Sequence, residues 1–159
     1  MIVDTSALRT AYAEFLEVAE TGKFGPPPAG EWDAEHLLAH VYTAHSQIAS
    51  TALAVLAGSR PSYDNRMSLD DMNLRRVIDQ AGGLAGLVDL VGRGGELYCA
   101  VADQVSERDA LVPVSVLIVS GHKLVVDEPR PLGQLLTGVG SVHLPGHAEQ
   151  LRSLLAMHA

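Results

Sequence analysis

Near the end of the chain, Leu132, Leu136, Val139, His143, His147, Leu151 and Leu154 recur every three or four residues, the rhythm of one face of an α-helix. A strand would throw neighbouring members of this series to opposite faces, so only a helix buries them together. Burying that face also buries two imidazoles one turn apart, and the fold must then give their ring nitrogens partners. Pro145 stands between them, has no N–H to donate, and predicts a kink about one turn earlier, near Gly140 and Ser141.

The same rhythm marks further helices. Leu8, Ala11, Tyr12, Phe15, Leu16 and Ala19 follow the capping candidates Asp4, Thr5 and Ser6 and precede Gly22. Pro26, Pro27 and Pro28 then make a stiff extended connector. From Asp33 to about Leu56 the stripe is Leu37, Val41, Ala44, Ile48, Ala52 and Val55, closed by Gly58. At about 100° per residue, His40 lies roughly 60° from the centre of this stripe, and His36 and His45 lie roughly 100° and 80° away on opposite sides. Only His40 is expected to point inward; His36, His45 and the terminal His158 are read as structural or exposed.

Gly58 to Asn65 is polar and turn-rich, and Ser68 with Asp71 resembles a capping box opening a shorter helix through Ile78. A long helix follows from Leu84 to about Val105; Gly86, Gly92, Gly94 and Gly95 weaken it in isolation, so close packing by neighbours is expected to compensate. Between Leu111 and Val126 the pattern changes to two apolar runs around Gly121-His122, a β-hairpin with a type II′ turn, His122 being a turn residue and Pro129 and Pro131 ending the insertion. With 159 residues and only 4% aromatics among 47% hydrophobic residues, the chain reads as a single, mainly α-helical domain over residues 1–159.

A formal net charge of −8 argues against long contact with a phosphate backbone. No run of eighteen apolar residues and no basic start with an apolar stretch occurs, so the expectation is a cytoplasmic protein bound neither to nucleic acid nor to membrane. The single cysteine, Cys99, excludes an internal disulfide and suits a buried small hydrophobe.

His40, His143 and His147 then need a shared reason to be buried, and one cation satisfies all three rings at once. Three neutral imidazoles leave a divalent ion with room for water or a substrate group, as catalytic sites do. An all-nitrogen set accepts zinc, nickel, copper or iron. Asp64-Asn65 could orient a ligand histidine, and Arg60 and Arg66 could meet carboxylates at the mouth, although a turn and a solvated surface explain these residues as well. No general acid or base is assigned to Asp70, Asp71 or Glu96.

Two segments carry a family resemblance across nearly the whole chain. Glu31-Trp32-Asp33-Ala34-Glu35-His36-Leu37-Leu38-Ala39-His40-Val41 resembles the tryptophan, apolar pair and ligand histidine of the DinB-like superfamily, near its mycothiol-dependent maleylpyruvate isomerase branch. Val142-His143-Leu144-Pro145-Gly146-His147-Ala148-Glu149-Gln150-Leu151 resembles that family's closing motif, which places two ligand histidines on the last helix. The isomerase branch favours an acidic residue where His143 stands and carries a second domain after the bundle, whereas this sequence ends at Ala159.

The resemblance implies an up-down four-helix bundle of DinB-like type with the hairpin inserted before the last helix. It also implies a divalent metal, zinc or nickel, on His40, His143 and His147, and a homodimer. In function it implies an S-transferase or isomerase in which a small thiol such as mycothiol acts on a small electrophile. The alternatives are a non-catalytic metal-containing bundle that binds small molecules or serves a stress response, and a metal-free fold in which His143 and His147 pack against the hairpin.

Overall fold

The computed structural model describes residues 2–155. Helix α1 (Thr5–Ala19) starts where the Asp4 carboxylate accepts the Ala7 N–H at 3.0 Å, and α2 (Ala34–Leu56) starts where Asp33 does the same for His36 at 2.9 Å. After α2 comes a short strand β1 (Ser62–Asp64), a 3₁₀ turn (Asn65–Leu69) and α3 (Asp71–Ala81). The cap of α3 is Asp70, which accepts the Asn73 N–H, and not Ser68, which lies buried inside the 3₁₀ turn. The capping-box reading was thus displaced by two residues, because Asp70 is an equally good cap and Ser68 is used elsewhere.

Helix α4 (Leu84–Ala102) and the single turn α5 (Glu107–Ala110) lead to strands β2 (Pro113–Ser120) and β3 (Lys123–Pro131). These pair antiparallel, from Pro113 opposite Pro131 to Ser120 opposite Lys123. Gly121 and His122 both have positive φ, 55° and 64°, so the turn has the sign pattern of type I′ and not the expected II′. Pro129 lies within β3 and Pro131 is its last residue, directly before the next helix, so the insertion closes at these prolines; β3 is an edge strand, where a missing N–H costs no ladder bond on the open side. Strand β1 joins the other edge, parallel to β2, with Tyr63 opposite Val116. The sequence hid β1 because three residues, two of them polar, are too few to show an alternation.

The last apolar stripe is one continuous helical run in three parts: α6 (Leu132–Gly138), a π-helical turn (Val139–His143) and α7 (Leu144–Leu155). The Leu144 N–H bonds Val139 O, five residues back, so the irregularity falls where Pro145 predicted it.

The long helices pack in a closed circuit, α1 on α4, α4 on α2, α2 on α7 and α7 on α1, with α3 against α2 and α4. Phe15, Leu38, Val91, Tyr98, Leu136 and Leu151 fill the space between them and are almost fully buried. Close approach is possible because α4 has glycine where its neighbours lean in: a Cβ on Gly95 would stand 2.7 Å from Cδ1 of Tyr12. The chain is therefore mostly helical with a small three-stranded sheet beside the helices.

Candidate metal centre

α2 and the π-helical turn bring His40 and His143 face to face, with their Nε2 atoms 3.1 Å apart. His147, the next turn along, places its Nε2 3.2 Å from the same His143 atom. Nitrogens bonded at 2.0–2.1 Å to one tetrahedral ion stand roughly 3.3 Å from each other. Two of the three separations match that spacing, and all three ligand atoms lie within 4.8 Å of one another, a group that could hold a metal ion.

The protonation of the group suits that role. Burial pushes the His40 imidazole down to about 4, helped by the neighbouring His147 and opposed by the Ser68 carbonyl. Burial also holds His143 well below the usual histidine range and lowers His147, with Gln150 opposing the latter shift. All three rings are neutral near pH 7, the form that ligates.

Two of the rings are oriented by oxygen acceptors. His40 donates from Nδ1 to Ser68 O at 2.7 Å, and His147 donates from Nδ1 to Gln150 Oε1 at 2.5 Å. Each therefore keeps its lone pair on Nε2, facing the common point. Trp32 lies tilted over His40, with ring centroids 4.9 Å apart. Ser68 is itself fixed by the sheet: Asn65 donates to Val119 O at 2.9 Å and accepts the Val119 N–H at 2.8 Å, while Ser68 Oγ donates to Asn65 O. The hairpin thus sets the turn that sets His40.

Several expectations need correction. Asp64 and Asn65 do not touch a ligand histidine; Asp64 pairs with Arg66 and Asn65 pairs with the hairpin. The larger error concerns His45, read as structural or exposed and not inward, and found 3% exposed with Nε2 3.0 Å from Nδ1 of His143. α2 is covered by α4 on one side and α7 on another, so its buried arc is far wider than a single stripe. Leu38, Ala39 and Ala49, apolar residues outside the stripe, were the signal that could have shown this. Gln150 was also legible, being one turn from His147 on the same helix face.

Other readings hold. His36 is half-buried beside Asp33, its Nδ1 2.9 Å from that carboxylate, and Cys99 is buried. His122 is the turn residue at the hairpin tip. His158 lies outside the described residues.

The group is not sealed. His147 and Gln150 line a cleft of about 690 Å³ between the hairpin tip, the 3₁₀ turn and the start of α2. Its floor includes Trp32, Leu37, Leu69 and Leu154, and its polar margin includes Glu31, Arg66, Asp70 and His122. Arg60 is exposed and does not line it, and Arg66 is held by Asp64. No described helix is long and apolar enough to cross a membrane. Comparison with protein-family models, characterised proteins and solved structures finds no match to this chain.

Proposed function

We propose that this chain is a divalent-metal-binding protein of DinB-like four-helix-bundle type, in which His40, His143 and His147 hold zinc or nickel. In this reading a small thiol of the mycothiol kind reacts at the centre with a small electrophile, as in an S-transferase or isomerase. The observation that carries the reading is the meeting of three neutral Nε2 atoms at one point, two of them pre-oriented by Ser68 O and Gln150 Oε1, at the end of an open cleft. A lone core histidine needs one partner; a single cation can satisfy three whose free nitrogens converge. The closed circuit of α1, α4, α2 and α7, with a hairpin before the last helical run, supports the bundle assignment.

A divalent ion bound there supplies a Lewis acid that lowers the proton affinity of a thiol or water in the cleft. The protein's own residues supply the rest. Ser68 and Gln150 fix two rings so that little ordering remains to be done on binding. Trp32, Leu37 and Leu69 exclude water from one wall of the cleft, which favours an electrophile with an apolar body. Gln150 and Ser153 provide neutral hydrogen-bonding groups beside His147.

The test is elemental analysis of purified protein followed by turnover assays with several small thiols and electrophiles. About one zinc or nickel ion per chain is expected, lost in His147→Ala together with thiol-dependent turnover. Absence of stoichiometric metal from metal-replete protein overturns the assignment. Metal retention without turnover for any thiol leaves the non-catalytic binding bundle in its place.

A further inference from the structure

A histidine that ligates through Nε2 must carry its proton on Nδ1 and hand it to an acceptor. For His40 and His147 the acceptors are oxygens that cannot donate in return, Ser68 O and Gln150 Oε1. Among the described residues His143 has no such oxygen. Its Nδ1 faces Nε2 of His45 at 3.0 Å, and Nδ1 of His45 faces Tyr12 Oη at 2.7 Å. His45 is almost fully buried, and its ring also stands edge-on to Tyr12 with centroids 5.5 Å apart, so it has little freedom to turn.

We propose that His45, anchored by Tyr12, is a positioning residue that selects the ligating form of His143 by accepting its Nδ1 proton. The proposal rests on the metal-centre reading and extends it to a fourth histidine that touches no ion. Two hydrogen-bond directions are open to the Tyr12–His45–His143 chain. In one, Tyr12 O–H donates to His45 Nδ1, His45 Nε2–H donates to His143 Nδ1, and the His143 proton sits on Nε2. That proton then points at the lone pairs of His40 and His147, 3.1 and 3.2 Å away, and occupies the place of the ion.

In the other direction, His143 Nδ1–H donates to His45 Nε2, His45 Nδ1–H donates to Tyr12 Oη, and three lone pairs face the common point. The two arrangements contain the same number of protons; they differ in which ring nitrogen carries each and in the rotation of the Tyr12 hydroxyl, whose proton turns away from His45 in the second. The first satisfies the group without a metal; the second is the one that ligates. An imidazole at position 45 serves both because its Nε2 either donates or accepts. A site built only from carbonyl acceptors would lock all three ligands open, leaving mutually repelling lone pairs whenever no ion is present.

The test uses the full chain and zinc alone as probe. Zinc affinity, read by competition with a chromophoric chelator, is expected to fall about 10–100-fold in His45→Leu, which removes the acceptor while keeping an apolar filler. His45→Gln restores an amide oxygen that can accept the His143 proton and is expected to recover most of that loss. Thermal unfolding of each variant in chelator checks that the metal-free fold survives. Nitrogen-15 NMR of the histidine rings provides a reading that needs no variant: in the zinc-loaded protein His143 carries its proton on Nδ1 and binds through Nε2.

Undiminished affinity in His45→Leu, or His143 bound through Nδ1, overturns the proposal. If the unmodified protein binds no zinc, it is the metal-centre reading that fails, so the two failures are distinct.

Discussion

Gly95→Ala perturbs the support of the centre without touching a histidine. The added Cβ would lie 2.7 and 2.8 Å from Cδ1 and Cε1 of Tyr12, whereas ordinary contact begins near 3.4 Å, so the ring or the helix must move by about 0.7 Å. Tyr12 is only 5% exposed, its hydroxyl is 2.7 Å from His45, and its ring packs against Tyr98 at 6.1 Å. The cavity beside it, of about 10 Å³ and shared with His45 and Gly95, has room for about one water and too little for a ring to swing into. Overpacking of this kind costs about 1–3 kcal/mol, and a strained hydrogen bond to His45 adds about 1 kcal/mol.

Against this, replacing a mid-helix glycine by alanine returns about 1 kcal/mol of helix propensity. The net expectation is a loss of about 1–3 kcal/mol. Gly146→Ala is the matched control: it lies in α7, is exposed, and its Cβ would meet nothing within 4 Å, so it is expected to stabilise by up to about 1 kcal/mol. Urea unfolding of metal-free protein, with unchanged slope and shifted midpoint, measures both. A Gly95→Ala midpoint raised as far as that of Gly146→Ala would refute the tight wedge of Tyr12 against α4.

Asn65→Ala removes both hydrogen bonds to the half-buried Val119 backbone, so a loss of about 1–3 kcal/mol in chemical unfolding is expected. Because the Asn65 side chain ties the 3₁₀ turn that carries Ser68 O to the hairpin, zinc affinity should fall with it, and an unchanged affinity would show that the hairpin does not position His40. Acid titration of the metal-free protein should show a loss of stability as pH falls from about 6.5 to 4. Burial holds His40 down at about 4 and His45 at about 3, so in this window the unfolded chain binds protons that the folded one refuses, and stability present above pH 6.5 is lost below it. His40 alone accounts for about 3 kcal/mol by pH 4. An unfolding midpoint that stays flat across the window counts against neutral burial of these rings.

Much of the architecture was legible because helices write their burial into spacing. The stripes that begin at Leu8, Leu37 and Leu132 marked three long helices, and Pro145 marked the π-helical turn, since a missing N–H disturbs the backbone at a fixed distance upstream. The hairpin was visible as two apolar runs around a two-residue turn, whereas β1 left no period to detect. His40, His143 and His147 were found for the same reason as the helices: each sits on a face that had to be buried.

The sequence by itself determined which local periods the chain follows and hence which side chains leave water, because these depend on neighbours three or four residues away. What surrounds those side chains was decided by tertiary structure alone. His45 entered the core because two helices cover α2 from different sides, and Ser68 O reached His40 because a side chain from the 3₁₀ turn grips the hairpin 54 residues away. A ring nitrogen's partner is a matter of where distant segments meet in space, and no periodicity along one segment records that meeting.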